Sequence, residues 1–172
     1  MSANVLTAAC RCGAVKLEAA GKPMLHAVCY CASCQAAGRG FEQLAAAPPV
    51  LDADFGTDFI LYRKDRVRCV QGAERLQEHR LKPESPTRRL VASCCNSAML
   101  LDFTKGHWLT LYRGRFAGEV PPLQIRVMTA DAPEGRPLPD DVPSYPGFPG
   151  KFMWKLLGSW AAMGFRRPRM AW

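Results

Sequence analysis

The hexapeptide Cys29-Tyr30-Cys31-Ala32-Ser33-Cys34 decides how the rest of this chain is read. Three thiolates so close together converge on one point only when something binds them. The natural partner is zinc, which takes cysteine sulfur at roughly 2.3 Å and prefers four ligands. Three protein sulfurs then leave one coordination position for water or a substrate thiol. Cys29, Cys31 and Cys34 are therefore the expected catalytic ligands of an open zinc site; the competing reading is a purely structural zinc with a distant fourth ligand. Two more cysteine pairs flank the hexapeptide, Cys10 with Cys12 upstream and Cys94 with Cys95 downstream. Neither pair completes a tetrahedron alone, but together they could, so a second metal position is expected from Cys10, Cys12, Cys94 and Cys95.

Working outward, Leu25, Ala27 and Cys29 alternate with His26 and Val28 along a strand that delivers the chain into the three-cysteine turn. Residues 5–18 read as a hairpin whose Cys-Arg-Cys-Gly turn places Gly13 where tight geometry needs it. Beyond the hexapeptide, residues 35–47 suit a short helix or a loop, ended by Pro48 and Pro49. Strands are expected at 59–62 and 67–70, across a charged turn, at 76–81, at 90–92 leading into Cys94, at 99–103, at 108–112 and at 123–128. The pattern suggests antiparallel β throughout. Six prolines between Pro133 and Pro149 predict an extended surface arm. After it, Phe152, Met153, Leu156, Leu157, Trp160 and Met163 fall on one face of an amphipathic C-terminal helix. The expected organisation is a zinc domain over 1–130, the arm over 131–149, and the helix with its basic tail over 150–172.

Composition narrows the function classes. At 172 residues the chain suits one domain with an appendage. No basic stretch followed by a long apolar run opens the sequence, so a reducing cytoplasmic setting is expected. There, closely spaced members of its eight cysteines read as metal ligands or reactive thiols rather than disulfides. No run approaches the roughly 18 apolar residues of a transmembrane helix. The formal charge of +8 is scattered, which favours simple solubility, and no helix clusters Lys and Arg as specific nucleic-acid binding would need. Cys69 reads as a small buried hydrophobe, and His26 and His79 lack metal-ligand spacing to any cysteine motif.

Cys-x-Cys-Gly-x-Val at Cys10–Val15, Cys-x-Cys-x-x-Cys at Cys29–Cys34 and an Arg-led strand into Cys-Asn-Ser at Arg89–Ser97 together resemble the glutathione-dependent formaldehyde-activating enzyme family, which includes centromere protein V and shares the Mss4-like zinc fold. The resemblance covers about residues 8–130. It implies a mainly β, Mss4-like β-tent of antiparallel sheets, a structural zinc on Cys10 and Cys12 with downstream cysteines, and a catalytic zinc on Cys29, Cys31 and Cys34. It further implies a carbon-sulfur lyase acting on a small thiol adduct such as a glutathione conjugate. The centromere-protein and Mss4 relatives suggest the opposing reading, a non-catalytic zinc module for a protein or nucleic-acid partner. A solvent-open coordination position beside a pocket would separate the two.

The chain departs from the family pattern at Val91-Ala92, where Phe-Cys is expected, so one structural ligand is missing. Cys94 can replace it only if the backbone turns sharply before Cys95, because neighbours on an extended strand point to opposite sides. Asn96, tolerant of left-handed geometry, would permit that turn. Otherwise His107, Asp102 or a water completes the site, or it stays empty. The C-terminal helix is too apolar to stay in water. It is expected to dock on its own chain or on a second copy in a homodimer, with Trp154 or Trp160 bordering the metal pocket.

Overall fold

Side-chain alternation with a period of two builds most of this chain into strands. The structure, a computed structural model, describes residues 4–172. In chain order the strands are β1 (Val5–Ala9), β2 (Lys16–Ala20), β3 (Leu25–Cys29), β4 (Thr57–Arg63), β5 (Val67–Gln71), β6 (Leu76–His79), β7 (Thr87–Ala92), β8 (Ser97–Phe103), β9 (Trp108–Tyr112) and β10 (Ile125–Val127). The helices are α1 (Ala32–Glu42) and α2 (Gly150–Ala161). Three strands form a small sheet in the order β1-β2-β5, and seven form a larger one in the order β10-β3-β4-β9-β8-β7-β6. The fold is mainly β.

Strand β4 explains how the layers stack. Its run Phe59-Ile60-Leu61-Tyr62 is apolar without a break because a central strand covered on both faces needs apolar residues on both. Ile60 and Tyr62 join Val15, Leu17, Leu100, Leu109 and Leu111 in a core that also holds Cys10 and Cys95. Phe59 and Leu61 point the other way, into a second core with Ala27, Cys29, Cys34, Val127, Phe152 and Leu156. Each core thus contains one of the cysteine clusters.

One expectation is corrected here: the strands are not all antiparallel. β10 runs parallel to β3, with Ile125 opposite Ala27 and Val127 opposite Cys29. Parallel neighbours cannot be joined by a tight turn, and here everything from residue 30 to residue 124, including β4 to β9, lies between the two strands. Other boundaries move by a few residues, β6 ending at His79 and β10 covering only three positions. The stretch after Cys31 resolves as a helix. The prolines of residues 133–149 leave no strand or helix there, and a single bridge joins Ser144 to Arg126. Cys69 lies half-buried on the edge strand β5 rather than in the core, its thiol donating to Gln71 O at 3.2 Å.

Helix α2 returns to the larger sheet. Phe152 and Leu156 are buried on it and Met163 follows them inward just beyond its end, whereas Met153 and Leu157 remain exposed, so the buried stripe is narrower than the sequence pattern. Its anchor is polar. His107 Nε2 lies 2.8 Å from Ser159 Oγ, which donates to Leu156 O, and the His107 ring stacks on Trp160 at 5.8 Å. Among the described residues no helix is long and apolar enough to cross a membrane.

Candidate metal centre

Two cysteine clusters stand in the two cores of this scaffold, and local backbone chemistry builds each. Cys10 and Cys12 sit in the turn between β1 and β2, where the Gly13 amide donates to Cys10 O and Val15 N lies 3.2 Å from Cys10 Sγ. Cys94 and Cys95 sit in the turn between β7 and β8. Asn96 there adopts φ of 53°, a left-handed conformation that Asn accepts better than most residues, and Cys95 N bonds back to Ala92 O. The chain therefore bends enough to bring Cys94 Sγ within 3.9 Å of Cys95 Sγ.

The four sulfurs of Cys10, Cys12, Cys94 and Cys95 lie within 4.8 Å of one another. Cys10 Sγ is 3.6 Å from Cys12 Sγ and 3.8 Å from Cys94 Sγ, and Cys12 Sγ is 3.4 Å from Cys94 Sγ. A tetrahedron with metal–sulfur bonds of about 2.3 Å has edges of about 3.8 Å, so the spacing fits one ion with no position left over. Cys94 lies with Cys10, Cys12 and Cys95 as a possible fourth ligand, while Ala92 is fully buried in the strand. Neither alternative ligand is used: His107 holds α2, and Asp102 is paired with Lys64 and Arg88. Burial works against ionising Cys95, yet the Ser97 hydroxyl at 3.1 Å and the Cys12 amide hold its thiol down to about 6.

The second cluster gathers Cys29, Cys31 and Cys34, again within 4.8 Å of one another. Strand β3 ends at Cys29, and Cys31 is the N-cap of α1, accepting the Cys34 amide at 3.4 Å. A thiolate at that point meets the positive end of the helix dipole and unpaired amides. Gln35 clamps the turn by donating to Tyr30 O and Asp131 O, and Asp131 Oδ2 accepts from Ala32 N. Hydrogen bonds from Cys29 and Cys34 push Cys31 well below the usual thiol range, and the same sharing pushes Cys29 up. Thr57 faces Cys29 across the β3–β4 ladder, so its side chain is on the same face, and its buried hydroxyl has no partner. Both clusters could hold a metal ion, and all-sulfur donor sets favour soft or borderline ions.

The two sites differ in what completes them. Among the described residues no fourth Cys, His, Asp or Glu joins the Cys29 cluster. Instead its sulfurs form part of the wall of a cavity of about 390 Å³. Phe59 and Leu61 of β4, Leu101 and Phe103 of β8, and Trp108 of β9 supply its floor and sides, and Phe148, Phe152, Met153 and Leu156 form a cover. The expectation that Trp154 or Trp160 would border this pocket is corrected. Trp154 points to solvent at 72% exposure, and Trp160 is occupied against His107. Helical geometry turns Phe152 and Leu156, one turn apart, toward the sulfurs instead.

Each cluster also has a buried arginine that the sequence reading passed over. Arg89 is 3% exposed and donates to Ser33 O at 3.3 Å; sharing with Cys29 works downward on the Cys34 thiol beside it, but Cys31 and burial push that thiol up to about 12, against the Arg89 charge. Arg115 is buried too, and burial pushes its guanidinium down, opposed by Cys95, Tyr112 and Cys10. Among the described residues neither arginine has a carboxylate partner, which suits neighbours that become anionic when metallated. An arginine within a strand and another in a turn are ordinary sequence features, so only the packing reveals this pairing.

On the reverse face of β3, His26 is buried between Asp58 and Pro121 O, at 2.6 Å from each. A cavity of about 610 Å³ lies beside it, and burial together with Asp58 and Asp54 pushes Asp52 there up to about 6. His79 is half-buried against the Phe41 ring. Neither histidine approaches a cysteine cluster, as their spacing suggested.

No curated protein matches the chain. Among solved structures, a Rhodobacter sphaeroides protein determined as a structural genomics target is similar at 16% identity, covering 67% of this chain and 92% of that one with a TM-score of 0.48. Residues 1–111, which include all eight cysteines, match a family described only as of unknown function, DUF6151, and the chain belongs to that family.

Proposed function

We propose that this protein is a zinc-dependent enzyme that makes or breaks a carbon-sulfur bond in a small thiol adduct, with its chemistry at Cys29, Cys31 and Cys34. One observation carries the reading: three sulfurs within 4.8 Å, with no fourth protein donor among the described residues, border a cavity large enough for a small molecule. The resemblance to the glutathione-dependent formaldehyde-activating enzymes points the same way. Cys10, Cys12, Cys94 and Cys95 form a closed set and serve the fold.

Bound by the three thiolates, zinc would supply a Lewis acid for the sulfur or oxygen that gains charge as the bond changes. The chain's own residues do the rest. The helix N-terminus and the Cys34 amide keep Cys31 ionised, and Arg89 offsets the negative charge of the cluster. Phe152 and Leu156 cover the cavity and exclude water, which strengthens every charge interaction inside it. In a thiohemiacetal adduct the carbon-sulfur bond breaks with its electron pair going to sulfur. The hydroxyl oxygen becomes the carbonyl, and its proton ends on the departing thiol or in solvent. No oxidant or reductant is required.

The test is exchange spectroscopy by NMR on mixtures of formaldehyde and a small thiol. Zinc-loaded protein should accelerate interconversion of free and adduct thiol, and Cys31→Ser should abolish the acceleration. If zinc-loaded protein speeds no thiol adduct tested, the lyase reading is wrong.

A further inference from the structure

We infer that the cavity beside Cys29, Cys31 and Cys34 takes a small apolar or aromatic thiol bearing at most one negative group, and that it does not favour glutathione. This rests on the reading of an open metal position above and assigns it a ligand class. Apart from the three cysteines, Arg89 alone among the described residues that line the cavity carries a formal charge, and no described Asp or Glu lines it. The rest of the wall away from the sulfurs is mainly aromatic and aliphatic, with Phe59, Trp108, Phe148, Phe152 and Leu156 among its residues and Phe148 stacked on Phe152.

Glutathione brings two carboxylates, an ammonium and two peptide groups. Inside this cavity the ammonium would find no carboxylate, and Arg89 could serve only one of the two acids. Each remaining charged group would be stripped of water without a partner, which is strongly unfavourable. An aryl or alkyl group on a thiol meets the opposite situation, since it replaces water against apolar walls. Arg89 lacks a carboxylate partner within the protein, and its guanidinium can take one planar anion through paired hydrogen bonds. The ligand class is thus a thiol whose sulfur, entering as thiolate with its proton released to solvent, fills the place that the three cysteines leave. Its body lies among the rings under α2, and any single carboxylate lies toward Arg89.

Protein loaded with cobalt(II) provides a binding readout independent of turnover, because the visible bands of a cobalt–thiolate site change when its fourth ligand changes. The closed Cys10 cluster contributes a constant background. Phenylmethanethiol, the para isomer of mercaptomethylbenzoate, and glutathione are titrated in parallel. Phenylmethanethiol should shift the bands with a dissociation constant at least about tenfold lower than that of glutathione. The benzoate should bind more tightly still, and Arg89→Met should erase the benzoate's advantage over phenylmethanethiol, weakening the benzoate more than the uncharged thiol. Glutathione binding as tightly as the aromatic thiol overturns the ligand class and leaves the open position standing. Bands that no thiol perturbs overturn the open position as well. The wild-type comparison decides the matter even if Arg89→Met does not fold.

Discussion

Lys64 and Asp102 form an ion pair in which each side chain is 1% exposed, and replacing Asp102 by Asn tests how this fold carries buried charge. Lys64 Nζ lies 2.8 Å from Asp102 Oδ1 as an ionic contact, while its hydrogen bond goes to Phe103 O at 3.1 Å. Arg88 reaches the other carboxylate oxygen at 2.8 Å. At that spacing and an effective dielectric of about 20, the gross attraction of one pair is about 6 kcal/mol, largely offset by desolvation. Asp102→Asn keeps the shape and removes the charge, stranding the ammonium in the core. The expected cost is about 3–5 kcal/mol. For a chain of this size that lowers the melting temperature by roughly 6–20 °C. Urea unfolding of wild type, Asp102→Leu, Lys64→Met and the pair Lys64→Met/Asp102→Leu gives the cycle, with Asp102→Asn measured alongside. The apolar pair should recover to within about 1 kcal/mol of wild type, because Arg88 retains Glu78 at 3.1 Å. A cost below about 1 kcal/mol for Asp102→Asn would show that the pair behaves like a solvated surface bridge and would refute the reasoning. Metal content should not change, since neither cluster uses these residues.

Chelation should lower the melting temperature, and Cys94→Ser should remove one zinc per chain by elemental analysis without emptying the Cys29 cluster; equal metal content in wild type and Cys94→Ser would contradict a four-sulfur site. Gly72 holds φ of 74°, and a Cβ there would run into the Ala14 carbonyl beside the Cys10 turn, so Gly72→Ala should cost about 1–2 kcal/mol from conformation alone and reduce metal retention under chelator challenge. Two histidines give opposite pH signatures. Burial opposes charging His26, but Asp58 and Pro121 O accept from both ring nitrogens and raise its pKa above the ordinary 6.5. Its stabilisation should be complete below about pH 6.5 and lost as pH rises through the higher folded value. His107 is lowered by burial and by Arg167, Lys64 and Arg63, so its support of α2 should be present above about pH 6.5 and lost as pH falls through the lower folded value. Ring titration by NMR checks both, with Trp160 fluorescence reporting α2; a His26 value at or below the ordinary one would sink the assignment.

Much of the site was legible because its information is local. Cysteine spacing names the two groups of candidate ligands that the fold brings together. Even the approach of Cys94 to Cys95 was arguable, since the backbone freedom of Asn96 is a property of that residue. Period-two alternation and Pro/Gly punctuation likewise marked most strands to within a few residues. The helix after Cys31 stayed undecided because its only large apolar residues are Phe41 and Leu44, and what starts it is a thiol cap that looks like any other cysteine in one dimension.

What the linear order could not encode was which surfaces meet. The parallel seat of β10 depends on β3 having a free edge, a property of the finished sheet. The side of α2 that covers the cavity depends on His107 engaging Ser159 and Trp160 from a distant part of the chain, so Phe152 rather than Trp154 or Trp160 lines the cavity with the sulfurs. Arg89 and Arg115 look like ordinary strand and turn residues until packing strips them of water beside the thiolates. The cysteine groupings and the strand pattern follow from nearest neighbours in the chain and were set by the sequence alone. The closed character of one cluster and the walls and charge of the other follow from contacts between distant segments, and only the tertiary structure decided them.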